Sequence, residues 1–282
     1  MSAQAAWLPG GRLHLHHGPI DLVIGAEGAG RDAALRAAEA RFATVMEELV
    51  GELALLRAPA DSGRVPRGAI ARRMHAAVLP FLPDFITPMA AVAGAVAEEI
   101  LAAMCGAGVL ERAYVNNGGD VALHLAPGQS FRAAIADGLG DSALIRAGDG
   151  VRGIATSGRG GRSFSLGIAE SVTVLAARAA GADAAATMIA NAVDLPGHPA
   201  IRRLPACEIA PESDLGARLV TVDVGALSAA ETALALEAGA EAARDAVARG
   251  LIAAALLTLN GVRRVTGRPG LIEETIKEAI HA

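Results

Sequence analysis

The sequence predicts an α+β fold in which antiparallel sheets pack against long helices. Helical periodicity is confined to a few long stretches, chiefly 30–57, 89–104 and 229–249. Between them lie short Val- and Ile-rich segments divided by Gly-containing turns, as consecutive antiparallel strands require. The order of long helix and then hairpins occurs twice, which suggests two duplicated subdomains inside one domain spanning 1–282.

From the N-terminus, Arg12–His17 and Ile20–Ile24 alternate around Gly18-Pro19 and predict a hairpin. His14 and His16 share a strand face, but two histidines fall short of the three or four ligands of a zinc site. Leu35, Phe42, Met46, Leu49 and Leu53 recur at helical spacing through 30–57, and Pro59 ends that helix. The stretch 59–68 has loop punctuation and is the candidate for a mobile lid. Arg64, Arg67, Arg72 and Arg73 cluster there, as a solvated basic face or as phosphate contacts.

After three prolines comes the helix Met89–Met104, whose small residues Ala90, Ala93, Gly94 and Ala97 allow another backbone to approach closely. Strands are then expected at Arg112–Val115, Val121–Leu125, Phe131–Ile135, Gly153–Thr156, Ser163–Ile168 and Val172–Leu175. Ala179–Val193 is helical, Arg218–Val224 a strand and Ala229–Arg249 a helix ended by Gly250. Asn260-Gly261 between Leu256–Leu259 and Arg263–Thr266 is the clearest hairpin signal. Ile272–Ile280 reads as a closing amphipathic helix.

Composition narrows the function classes. The formal net charge is −5, and aromatics are limited to Trp7, Tyr114 and five Phe, so neither a basic patch nor a stacking platform points to nucleic acid. The apolar helix 89–104 is interrupted by Glu98 and Glu99 and reads as a core helix, so no membrane partner is expected. The N-terminal stretch has neither the basic nor the apolar region of a signal peptide. Cys105 and Cys207 form no CxxC pair. A reduced, cytoplasmic setting is expected.

Three stretches carry chemistry. The glycines of Asn117-Gly118-Gly119-Asp120 suit a tight turn, or a backbone that closes on a phosphate or a flat ring. In Ala155-Thr156-Ser157-Gly158 a strand end runs into a turn whose hydroxyls can meet phosphate oxygens or satisfy the turn itself. Asp183 and Thr187 lie one helical turn apart on one face. A carboxylate and a hydroxyl are hard-oxygen ligands fit for Mg²⁺; otherwise, Asp183 complements the dipole of its own helix. No Ser-His-Asp order, G-x-S-x-G elbow or P-loop is present.

In that order, Asn117–Asp120, Gly153–Gly158 and Ala182–Thr187 resemble three motifs of the ApbE family, Mg²⁺-dependent transferases that split FAD and attach FMN to a protein Ser or Thr. Ala93–Glu98 is similar to a degenerate fourth motif, which normally has Lys before the glycine and Asp at its end. The resemblance implies metal ligation by Asp183 and Thr187. It implies a pocket for FAD or FMN lined by Asn117, Gly118, Gly119, Asp120, Ala155, Thr156, Ser157 and Gly158, with a protein hydroxyl as acceptor.

The chain departs from the family where a His-x-Ile-Asp-Pro-type stretch is due, since 162–170 has neither His nor Pro. It therefore looks like the uncharacterised cytoplasmic branch of the ApbE-like superfamily. If FMN transfer or FAD pyrophosphatase chemistry survives, Asp120 and Glu170 are the nearby candidate bases. The alternative is a binding or accessory protein for a phosphorylated metabolite in cofactor or sulfur metabolism.

Overall fold

The computed structural model describes residues 3–61, 63–135 and 140–273. One long antiparallel sheet runs through the molecule, with helices on one face and a small second sheet on the other. Strand β1 (Gln4–Leu8), which no sequence signal had marked, pairs with β2 (Arg12–His17), and β2 pairs with β3 (Ile20–Glu27). Alternation buries Leu13, Leu15, Leu22 and Ile24 against the helices and leaves His14 and Asp21 on the opposite face, 2.7 Å apart.

The long first helix is shorter than its periodicity suggests. Helix α1 (Arg31–Gly51) gives way at Glu52 to a single turn, α2 (Leu53–Leu56). The Glu52 carboxylate accepts the N–H groups of Arg67 (2.7 Å) and Gly68 (2.6 Å), capping α3 (Ala69–Val78) from outside. The loop between them is tied further by Ala60 N–H to Ile86 O and by His75 to Asp61 O. Arg73 is bound by Glu98 and Glu99 instead of facing solvent.

Helix α4 (Val92–Ala107) follows a 3₁₀ turn at Pro88–Ala91. The stretch Pro88–Ala107 is long and apolar enough to cross a membrane by length and composition. It is packed here against α1 and α3 beside the sheet, and Arg41 and Arg73 neutralise Glu99.

Strands β4 (Arg112–Asn117) and β5 (Asp120–Leu125) form the expected hairpin, but β6 (Ser130–Ala134) leaves the main sheet. It pairs instead with β7 (Ser142–Arg146), which the sequence reading missed. The chain re-enters the main sheet at β8 (Gly153–Ser157), between β5 and β9 (Ser171–Ala176). The strand expected at Ser163–Ile168 is absent. That stretch is a docked loop in which Leu166 N–H bonds Asn191 Oδ1 (3.0 Å) and Ser165 and Ile168 are buried by neighbours, so its alternation came from docking.

Helix α5 (Ala179–Ala192) crosses behind β8 and β9. A satellite hairpin of β10 (Ile201–Pro205) and β11 (Leu219–Val224), with one turn of helix α6 (Ala206–Ile209), fills the Pro-rich region. Helix α7 (Ala229–Ala248) opens with a capping box in which Ser228 and Glu231 satisfy each other's backbone N–H groups. His198 bonds Glu231 at 2.9 Å.

Strands β12 (Ala254–Leu259) and β13 (Val262–Gly267) turn at Asn260 (φ 50°) and Gly261 (φ 72°), the positive-φ pair a two-residue hairpin needs. The closing helix fails at its start: Ile272-Glu273 is strand β14, paired with β7, and the remainder of 272–280 lies outside the described residues.

The main sheet has the order β1-β2-β3-β4-β5-β8-β9-β12-β13, so any duplication lies within one continuous hydrogen-bonded sheet. One core joins α1, α3 and α4 to β2–β5, and a second joins α5 and α7 to β8, β9 and β12. On the other face the order β14-β7-β6 covers a third core around Leu123, Ile145 and Leu175.

Candidate functional site

The three motifs meet at one end of the main sheet, and the reason is close backbone packing around the first residue of α5. A Cβ on Gly94 of α4 would sit 2.3 Å from the Ala179 carbonyl oxygen. One on Gly153 of β8 would sit 2.3 Å from the Ala179 N. Only glycines let a helix and a strand both press on the same backbone residue.

The two helices cap each other. Asp183 on α5 accepts the N–H of Gly94 (3.0 Å), with the Ala93 N–H alongside, so it satisfies the first turn of α4. Glu98 on α4 accepts the N–H of Ala180 (2.9 Å) in the first turn of α5. Asp183 therefore serves a neighbouring helix and lies beyond the first turn of its own. The dipole reading drawn from local sequence is corrected on that point.

At the hairpin, Asn117 and Asp120 are directly paired, and Gly118 (φ 63°) and Gly119 (φ 118°) make the two-residue turn. Asn117 is buried and donates from Nδ2 to the Ala93 carbonyl (3.1 Å), locking the turn to the start of α4. The Arg162 guanidinium lies on Gly118, where a Cβ would meet it at 1.8 Å. The β5–β8 ladder stops at Val121–Ile154, and beyond it Asp120 Oδ1 takes the Thr156 N–H (3.1 Å).

In the second motif, Ala155 is fully buried in the core behind β8, so its side chain does not face the turn. The Thr156 hydroxyl is matched to that of Thr173 across the strand pair at 2.8 Å. The hydroxyls of Ser157 and Thr187 take no hydrogen bond among the described residues, and both side chains are half-buried. Gly158 (φ 134°) turns the chain tightly past the Glu170 carbonyl, where a Cβ would lie 2.7 Å from that oxygen. The Glu170 side chain is paired with Arg159 at 3.3 Å.

The electrostatics centre on two carboxylates. Burial pushes Asp120 up to about 7, against the lowering pull of the Thr156 N–H and the Arg162 charge. Burial also raises Asp183 well above the carboxylate range, and the neighbouring Asp120 charge raises it further. A cation between two such groups favours their charged forms. Both remain oxygen donors, and Thr187 lies one turn from Asp183 on the same helix face, so the donor set suits Mg²⁺ completed by water or phosphate oxygens. Among the described residues no group of three or more His, Cys, Asp or Glu is placed to hold a metal ion, so a cation here would rest on two carboxylates with hydroxyl, water or phosphate oxygens.

Sequence reasoning named both carboxylates but not the contact of Arg162 with Gly118. Its guanidinium reaches Gly118 from far along the chain, and no spacing rule encodes such a contact. A separate cleft lies on the opposite face of the sheet.

A UPF0280 protein of Methanopyrus kandleri is 42% identical over 124 residues, covering 43% of this chain and 48% of that protein. A UPF0280 protein of Methanothermobacter thermautotrophicus is 38% identical over 119 residues, covering 39% of this chain and 44% of that protein. The chain thus spans about half the length of these relatives.

Among solved structures, the apo flavinyl transferase ApbE of Pseudomonas stutzeri aligns over 95% of this chain and 96% of its own at 12% identity, with a TM-score of 0.44. The flavin transferase ApbE of Vibrio cholerae aligns over 95% and 98% at 13% identity, with a TM-score of 0.36. A family model described as "AbpE bacteria" matches residues 5–265, nearly the whole length, and the chain belongs to this ApbE-like family.

Proposed function

We propose that this protein binds a flavin nucleotide, FAD or FMN, with Mg²⁺ at the Asp120–Asp183 site. The observation that carries the reading is the buried carboxylate pair, each member held by backbone N–H groups and raised in pKa by desolvation. Mg²⁺ bound there would supply charge neutralisation to a pyrophosphate. Ser157 and Thr187 offer hydroxyls not engaged elsewhere among the described residues, and Arg162 brings a guanidinium to the turn where a phosphate would lie.

In a transfer reaction with Mg²⁺ ligated by Asp183 and Thr187 and not by Asp120, Asp120, raised to about 7 in the metal-free protein, is the group suited to accept a proton from an attacking hydroxyl. Glu170 is tied to Arg159 and is the weaker candidate. Calorimetric titration with FAD, with and without Mg²⁺, followed by product analysis, tests the reading. Saturable binding that needs Mg²⁺ supports it, and AMP release would extend it to FMN transfer or FAD hydrolysis. A flat titration in both conditions sinks it.

A second reading is favoured by the loop at 162–170, which holds no histidine and is docked by Leu166 and Ser165. Here the pocket holds a nucleotide or phosphorylated metabolite without transfer, as a binding or accessory protein. Ligand-induced stabilisation with no product would show it.

The carboxylate pair also fixes a pH dependence. Asp120 and Asp183 hold protons in the folded state at pH values where the unfolded chain has lost them. The pair's contribution to stability therefore falls as pH rises from about 4 to about 7 and beyond, as far as the raised Asp183 value extends. Mg²⁺ replaces those protons, so it should raise the Tm more at about pH 8 than at about pH 5. Equal Mg²⁺ shifts at both pH values would argue against metal between these carboxylates.

A further inference from the structure

On the other face of the sheet, at the far end of β4 from the motif site, lies a cleft of about 730 Å³. Four arginines and one carboxylate, Glu27 on β3, line it from separate elements: Arg12 on β2, Arg31 at the start of α1, Arg112 on β4 and Arg132 on β6. Tyr114 and Phe131, with ring centroids 5.5 Å apart, give it an apolar wall.

The placement separates this cleft from the motif site by both face and end. Tyr114 belongs to the core under the small sheet, whereas Asn117, three residues on, faces α4.

Arg12 is lightly held; besides their ion pairs, Arg31 also donates to the Gly11 carbonyl, Arg112 to the Ser130 carbonyl and Arg132 to the Ser142 hydroxyl. Arg12 donates only from Nε, to the Pro9 carbonyl, and its terminal nitrogens take no partner among the described residues. Arg31, Arg112 and Arg132 pair with Asp32, Glu27 and Glu273, whose side chains are 75%, 57% and 44% exposed. Ion pairs that exposed contribute little, so a doubly charged oxyanion can displace them and gather several forks at once.

We propose that this cleft is a second ligand site, for a small phosphorylated molecule with an apolar or aromatic body. Arg12 and Arg132 bind the phosphate, and Tyr114 and Phe131 contact the body. The site needs no metal and is independent of the Asp120–Asp183 pair.

Titration of the full chain with phenyl phosphate and with inorganic pyrophosphate, at low salt in a metal chelator, tests it. The expected result is saturable binding that weakens with salt and falls at least about tenfold in Arg12→Ala and in Arg132→Gln. Asp183→Asn should leave it unchanged. Both arginines are exposed, so the variants should keep the parental Tm, and circular dichroism checks this. Absence of binding by either probe overturns the proposal, as does binding that survives both arginine substitutions. Binding lost only in Asp183→Asn assigns the phosphate to the motif site and overturns it as well.

Discussion

Asp183→Asn should abolish Mg²⁺-dependent flavin-nucleotide binding while leaving the metal-free protein at least as stable as the parent at about pH 8. The amide keeps an oxygen to accept the Gly94 N–H, so the cap on α4 survives. It carries no charge, so the repulsion with Asp120 disappears. Loss of an outer-shell partner alone costs about 10–100-fold in metal affinity, and a direct carboxylate ligand should exceed that range. Calorimetry for binding and a thermal melt for stability separate the two effects. If the Asp183→Asn variant binds FAD and Mg²⁺ like the parent, Asp183 is removed from the site.

The second large effect is expected at the glycines that let the site assemble. Gly94→Ala and Gly153→Ala each place a methyl 2.3 Å from backbone atoms of Ala179, which have no rotamer to escape into. Helix α5 must move, and the Asp183–Gly94 and Glu98–Ala180 hydrogen bonds stretch with it. Each substitution should cost about 1–3 kcal/mol from overpacking, plus part of the caps, read as a lower urea midpoint. Ligand binding should weaken in parallel. Gly181→Ala is the control: nothing lies within 4 Å of its Cβ, and alanine favours a helix interior, so it should be neutral or stabilising. If Gly94→Ala melts with Gly181→Ala, the close approach at Ala179 does not hold the site together.

Much of the fold was legible because short-range chemistry dictates it. Asn260-Gly261 and Gly118-Gly119 supply the positive φ values of two-residue turns, and both hairpins form as expected. Helices α4, α5 and α7 follow their periodicity to within a few residues, since tertiary packing uses the face that the spacing provides.

Misreadings occurred where a local pattern had a non-local cause. The alternation of Ser163–Ile168 comes from docking on the end of α5, and Gly167 packs against the Ala190 carbonyl without entering a sheet. Ile272-Glu273 pairs with β7, a strand far earlier in the chain. Strand β1 has exposed residues on both faces, so burial left no alternation to read.

By itself, the sequence determined the α+β class and the hairpin turns and singled out Asp120 and Asp183 as candidate oxygen donors, because residue type and spacing within a few positions are enough for each. Only the tertiary structure brought the two carboxylates close enough to affect each other's charge. Asp120 and Asp183 are distant in sequence, and a pKa shift depends on burial and on the charges nearby in space. Their mutual repulsion arises only once Gly94 and Gly153 have allowed α4, α5 and β8 to close on Ala179.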